Sequence, residues 1–344
     1  MTTVYEIDPL QDQRWRAFLE KHRSASLFHS PEWLSALQHT YRYKVAAVTT
    51  SGPGEPLTNG LVFCRVRSWL TGPRLVSLPF SDHCTPLCET REEFGRLLSH
   101  LKQECDRGTE RHLEIRSAAM GSGGLAESAS FWQHRMDLRP NLSELFQALH
   151  GDCIRRKIAR ARREGVTYEE GTSEDLLRKF YRLTVLTRQR HKVPPQPLAW
   201  FRNLLACMGG KAKIRVASSG DQPAACILTV RFKATMTYKY GCSDPRFHKL
   251  GPMQLLLWKA IEEAKGDGLL EFDMGRSDCS NDGLVTFKDR WGAARSILTY
   301  LRYPPPKTQR AGDNLSMRIA KSVIGLTPSS LLPAAGRIFY PHID

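Results

Sequence analysis

Apolar positions along the chain alternate between two periods, and the alternation repeats. "VAAVTTSGPGEPLTNGLVFCRV" (45–66) and "IRVASSGDQPAACILTVRF" (214–232) each read as a strand, a Ser-Gly turn and a second apolar strand. That is the pattern of a hairpin with a loop longer than two residues. "HLEIRS" (112–117) and "LLEFDMGRS" (269–277) each follow an amphipathic helix, and "VYEID" (4–8) and "VTYEEG" (166–171) each precede a helical stretch. Corresponding segments lie about 160 residues apart, well beyond the periods of short-repeat solenoids. The pattern predicts a duplicated α/β (α+β) domain, each copy a mixed, mostly antiparallel sheet flanked by helices. The boundaries fall at 1–150 and 151–303, with 304–344 as a helical tail packing on the body.

In the second copy, helices are predicted over 173–191 and 198–208, then strands over 212–219, 223–232 and 235–241. Residues 251–268 form a helix with Pro252 in its first turn and Gly266 or Gly268 at its end. Strands follow at 269–275 and 295–303, and the prolines 304–306 close the domain. The tail carries amphipathic segments at "LSMRIAKSVIGL" and around "LLPAAGRIF".

Near the end of the second copy, "GLVTFKDRWGA" (283–293) reads as a short helix capped by Asn281 or Asp282. Leu284, Phe287 and Trp291 share one face, and Lys288 falls on the same face. The bland explanation is an edge lysine reaching out to water. If the ammonium instead has a functional role, a methionine at 288 would keep the apolar stem, and packing should survive or improve.

Composition narrows the classes. The 344 residues suit two domains, and 41% hydrophobic with 25% charged residues is the balance of a folded protein. No apolar run approaches the roughly 20 residues of a spanning helix, and "MTTVYEIDPLQDQRW" has no signal-peptide core. A cytoplasmic protein is therefore expected. The nine cysteines are scattered and odd in number. "HCTPLC" (83–88) lacks a partner pair for a zinc site, so no metal is assigned. The formal charge of +15 favours polyanions such as tRNA, nucleotide-linked sugars, coenzyme A or an anionic membrane surface. "CIRRKIARARREG" (153–165) places six basic residues in one helix, with Ile154, Ile158 and Ala161 as its packing stripe. Such a run is either a solvated face or a contact for an anionic substrate through Arg155 and Arg156.

Taken together, "RRKIARARREGV", "YKYGCSD", "GPMQLLLWKAIEEA", "LEFDMGRS" and "FKDRWGA" resemble the FemAB/FemX-like branch of the GNAT acyltransferase superfamily. The resemblance is specific over 150–303, looser over 25–150 and absent in the tail. It implies two GNAT-like domains and transfer of an acyl or aminoacyl group, from acyl-coenzyme A or aminoacyl-tRNA, to an amine. The acceptor it implies is a cell-envelope, peptidoglycan or exopolysaccharide precursor. The Phe287-Lys288 pair matches a Fem-type motif whose lysine serves the reaction centre, so the resemblance makes Lys288 catalytic. A fixed cation among apolar walls would stabilise the oxyanion formed when an amine attacks an ester or thioester.

Asp273, at the end of a buried strand, could accept the amine's proton or position the amine; its plainer roles are to cap the following turn or pair with Arg276. Tyr238 and Tyr240 alternate onto one strand face as candidate substrate contacts. Arg276, Arg246 and Lys249 could hold a phosphate near a helix N-terminus. In "RFHKLGPMQ" one glycine is followed by a proline, which removes a donor from the pyrophosphate loop of GNAT proteins and argues against a tightly bound cofactor. After Trp33 the lysine that Fem-type proteins direct at a nucleotide diphosphate is missing. The alternative reading is a catalytically idle Fem-like protein that binds tRNA, another RNA or an anionic membrane through its basic face.

Overall fold

In a computed structural model of the chain, residues 3–305 and 332–342 are described. The elements run β1 (Tyr5–Ile7), α1 (Gln13–Lys21), α2 (Pro31–Tyr41), β2 (Lys44–Thr49), β3 (Leu61–Val66), β4 (Arg74–Val76), α3 (Arg91–Asp106), β5 (Leu113–Ile115), β6 (Ala126–Asp137) and α4 (Leu142–Ala148). A π-turn at Gly151–Arg155 leads into α5 (Arg156–Arg163). Then come β7 (Thr167–Gly171), α6 (Glu174–Arg190), α7 (Leu198–Met208), β8 (Ala212–Ser219), β9 (Gln222–Phe232), β10 (Thr235–Ser243), α8 (Pro252–Gly266), β11 (Glu271–Asp278), α9 (Asp282–Asp289), β12 (Ala294–Tyr303) and α10 (Leu332–Phe339).

Two compact units result. Among the described residues, unit 1 holds 3–131, 297–305 and 339–342; unit 2 holds 132–296 and 332–338. In unit 1 the strand order is β1-β2-β3-β4-β5-β12. The first four strands are antiparallel neighbours, β4 and β5 are parallel, and β12 returns antiparallel to β5. In unit 2 the order is β7-β8-β9-β10-β11-β6, again antiparallel up to β10 and parallel between β10 and β11. The duplication seen in the sequence is thus reproduced strand for strand through the fifth. The sixth strands are exchanged: β6, from the first repeat, completes the sheet of unit 2, and β12, from the second, completes that of unit 1. The sequence repeat turns over near residue 150, while the compact units divide inside β6 and β12.

Each sheet is covered on both faces because its strands alternate apolar side chains to both sides. In unit 1, Phe94, Leu97, Leu98 and Leu101 of α3 pack on Val48, Leu61, Phe63, Leu75 and Leu113. The N-terminal helices bury Trp15 and Trp33, and the Trp15 indole donates to the His29 carbonyl at 3.0 Å. In unit 2, Leu256, Ala260 and Ile261 of α8 and Ile158 of α5 pack with Ile227, Met236 and Phe272. On its other face Phe180 of α6 meets Phe201 of α7 edge-on at 5.0 Å.

The tail segment "LSMRIAKSVIGL" lies outside the described residues. The second segment is α10, where the backbone of Gly336 sits so close to Pro195 that a Cβ would fall 2.0 Å from its carbonyl oxygen. The "HCTPLC" thiols are buried, and burial pushes the Cys84 thiol well above its ordinary value and that of Cys88 to about 12. Among the described residues no helix is long and apolar enough to cross a membrane.

Candidate active site

The parallel pairing of β10 with β11 runs from Thr235/Glu271 to Thr237/Asp273 and stops. β10 continues along β9 to Ser243, so the two parallel strands part just after Asp273. Gly275 then takes φ +71°, a conformation open to glycine at little cost and strained for any residue with a Cβ. This kink within β11 presents its amide to one side and its carbonyl to the other.

Asp273, only 3% exposed, takes the amide: its Oδ1 accepts from Gly275 N at 2.7 Å. Its Oδ2 accepts from Gln133 Nε2 at 3.2 Å, with Arg135 Nε 4.0 Å away. Lys288 takes the carbonyl. Its Nζ donates to Gly275 O and Arg276 O, both at 2.9 Å, and the side chain is 2% exposed. The cap expected for this helix is present, with Leu284 N donating to Asn281 Oδ1 at 3.1 Å. Its buried line is Val285, Lys288 and Trp291, whereas Leu284 and Phe287 are half-buried. The lysine does not reach for water. It is an internal cation with at least two of its three donors placed on backbone carbonyls, so a methionine there would not be innocuous to the fold.

A second polar pair adjoins it. His134 Nε2 lies 3.2 Å from Asp289 Oδ1, and His134 Nδ1 is buried with no partner among the described residues. Burial and the charge of Lys288 hold the His134 imidazole below its ordinary pKa, and the Asp289 carboxylate offsets this only in part. Arg295 approaches Asp289 at 3.7 Å and stacks over the Trp132 ring at 4.6 Å. Gln133, His134 and Arg135 all come from β6, which the hydropathy pattern left unassigned. The two period-2 sets in "FWQHRMD", Trp132, His134 and Met136 against Gln133, Arg135 and Asp137, were the available signal, since neighbouring strand residues point to opposite faces.

The tyrosines do not share a surface. Register slips between Tyr238 and Tyr240, a bulge at Lys239 that turns the second ring to the other face. Tyr238 packs with the α8 core and lies across Gly241, and burial pushes its hydroxyl well up. The Tyr240 hydroxyl accepts from the Trp200 indole of α7 at 2.9 Å.

The basic candidates gather elsewhere in unit 2, around the start of α8. Gly251 has φ +78°, and a Cβ there would come 2.5 Å from the Lys157 carbonyl, so α5 lies directly against this helix start. Burial, then the charges of Arg190 and Lys157, lower the His248 pKa, so three segments bring positive charge to one corner. Arg246 is exposed and bound to Asp244 at 2.7 Å; Lys249 is exposed. Arg156 is exposed on Asp152 at 2.9 Å, and Arg155 is half-buried. The structure therefore brings together Asp273, Arg276 and Lys288 at one turn, and the other cations at a separate helix start.

Comparison with known proteins agrees with this architecture. The acetyltransferase (GNAT) domain family matches residues 125–288. No curated protein matches the sequence. Among solved structures, FemX aligns over 92% of this chain and 100% of its own, with TM-score 0.67 at 14% identity. A tandem GNAT protein from the clavulanic acid biosynthesis pathway covers 87% of this chain and 98% of its own (TM-score 0.55, 9% identity). L-PGS from Bacillus licheniformis covers 93% and 98% (TM-score 0.53, 15% identity). Residues 125–288 match the acetyltransferase (GNAT) domain family, and the chain shares its fold with FemX and with the tandem GNAT protein.

Proposed function

We propose that the chain is an acyltransferase that moves an acyl or aminoacyl group, from acyl-coenzyme A or aminoacyl-tRNA, to an amine of a cell-envelope or surface-polysaccharide precursor. The observation that carries this reading is the pairing of a buried carboxylate and a buried ammonium across Gly275, where β10 and β11 part. The amine nitrogen attacks the donor carbonyl, the C–O or C–S bond to the donor breaks, and the amine's proton leaves. Asp273 is the acceptor for that proton, with Gln133 fixing its rotamer. Lys288 supplies positive charge to the oxyanion through its field, and its hold on the Gly275 and Arg276 carbonyls keeps the backbone beside Asp273 in place. The shared fold of FemX and L-PGS supports the same direction.

The basic corner at the start of α8 suits the phosphates of either donor. One glycine followed by Pro252 leaves fewer backbone donors than a pyrophosphate cradle uses, which favours the larger polyanion, aminoacyl-tRNA. The test is single-turnover transfer from charged tRNA or acyl-coenzyme A to amine acceptors, comparing wild type, Lys288→Met and Asp273→Asn. Loss of turnover by about 10²–10³-fold in Lys288→Met, with substrate affinity little changed, is the expected result. Transfer at the wild-type rate in both variants would overturn the assignment.

A further inference from the structure

Unit 1 carries a surface that the transfer reading leaves unused. The connection between β3 and β4 holds Trp69 out at 73% exposure and Leu70 at 49%. Trp69 is the most exposed of the large hydrophobic side chains among the described residues, and Leu70 beside it extends it into a two-residue apolar tip. The loop is also built. Ser68 Oγ accepts from Leu70 N and Thr71 N at 3.2 and 3.0 Å, and Arg111 donates to the Thr71 carbonyl at 3.2 Å. Trp69 Nε1 donates to His342 Nε2 at 2.8 Å, which props the indole from below.

Beside the loop lies a cavity of about 670 Å³ lined by Tyr41, Arg42, Tyr43, Lys44, Arg65 and Arg67, with Glu104 and Thr109. Arg67 connects the two features, lining the cavity two residues before Trp69. They also share a support, because the Tyr43 hydroxyl donates to Pro341 O, next to His342. Glu6 and Glu104 neutralise Arg65, and Arg67 is bound to Glu110 at 2.9 Å. Arg42 and Lys44 have no carboxylate partner among the described residues. An amphipathic prong beside unneutralised cations, on a chain of net charge +15, matches the chemistry of an anionic lipid interface.

We infer that this face of unit 1 docks on an anionic phospholipid bilayer, with Trp69 and Leu70 entering the headgroup boundary and Arg42 and Lys44 facing the lipid phosphates. The inference stands apart from the transfer reading, because its readout is binding and needs no turnover. The experiment is co-sedimentation of the full chain with phosphatidylglycerol-containing and pure phosphatidylcholine vesicles at about 0.1 M salt, where charges beyond a Debye length are screened. Wild type should bind the anionic vesicles and leave the neutral ones. Trp69→Ser/Leu70→Ser should weaken that binding about tenfold, and Arg42→Gln/Lys44→Gln should remove most of the preference for anionic lipid. All four side chains project from the surface, and an unchanged melting temperature shows that the variants are folded. Equal binding to both vesicle types, no binding, or wild-type binding by the folded Trp69→Ser/Leu70→Ser variant would each overturn the inference. Capture of the loop by a protein partner instead would appear as the second of these outcomes.

Discussion

Replacing Lys288 by methionine separates the two jobs this side chain could have. The ammonium is 2% exposed and donates to two carbonyl oxygens at 2.9 Å. A hydrogen bond from a charged donor contributes about 1.5–3 kcal/mol, so the pair is worth about 3–6 kcal/mol gross. Against this stands the cost of keeping an ammonium out of water, which methionine does not bear and which amounts to several kcal/mol before relaxation. The two carbonyls left behind bring the balance back toward loss, at about 1–3 kcal/mol for each buried group without a donor. A net destabilisation of about 2–7 kcal/mol follows, equal to a fall in Tm of at least about 4 °C for a unit of this size. Thermal unfolding followed by circular dichroism reads it directly. Amide exchange at Gly275 and Arg276 should rise in the same variant, because their turn loses its clamp. An unchanged or raised Tm would refute the reasoning. It would mean that desolvation cancels the two hydrogen bonds, leaving catalysis as the only reason to keep a charge there.

Two further outcomes follow from named groups. His29 is buried, with its pKa lowered from 6.5 to about 4 chiefly by desolvation, so the folded state favours the neutral ring. Its contribution is therefore whole above pH 6.5 and is lost as pH falls toward 4; denaturant unfolding should show wild type losing about 3 kcal/mol more than His29→Gln across that window. Equal pH slopes would remove His29 as the cause. Changing Arg155, Arg156 and Lys157 together to glutamine should weaken tRNA binding and flatten the dependence of log Kd on log salt by about 0.7–0.9 for each phosphate that is no longer neutralised. Unchanged affinity and slope would make α5 a solvated face.

What the sequence made legible was whatever rests on local periodicity. The hairpins β2-β3 and β8-β9, the strands β5 and β11 that follow a helix, and the Asn281 cap all declare themselves within a few residues. The bulge at Lys239 did not, because alternation of Tyr238 and Tyr240 is the same string with or without an extra residue in the register. Lys288 was legible as a misplaced charge, but its partners are main-chain carbonyls, and no side-chain pattern announces those. β6 escaped for a different reason. Its pairing partner β11 lies more than 130 residues away, so neither local pattern nor spacing reports that Gln133 meets Asp273.

The exchange of sixth strands also governs the order in which the molecule can be made. β6 leaves the ribosome long before β11 exists, so a nascent chain carries a twelve-residue strand with no mate in its own sheet. β5 likewise waits for β12, near the end of the chain. The sheet of unit 1 cannot close during synthesis of its own repeat, that of unit 2 closes only once β11 reaches the waiting β6, and such distant pairing is intrinsically slow. A chain interrupted anywhere before β11 therefore leaves Asp273 unmade and β6 exposed as a sticky edge. Cutting the gene at the repeat boundary would yield two fragments that each need the other's strand to complete their sheet.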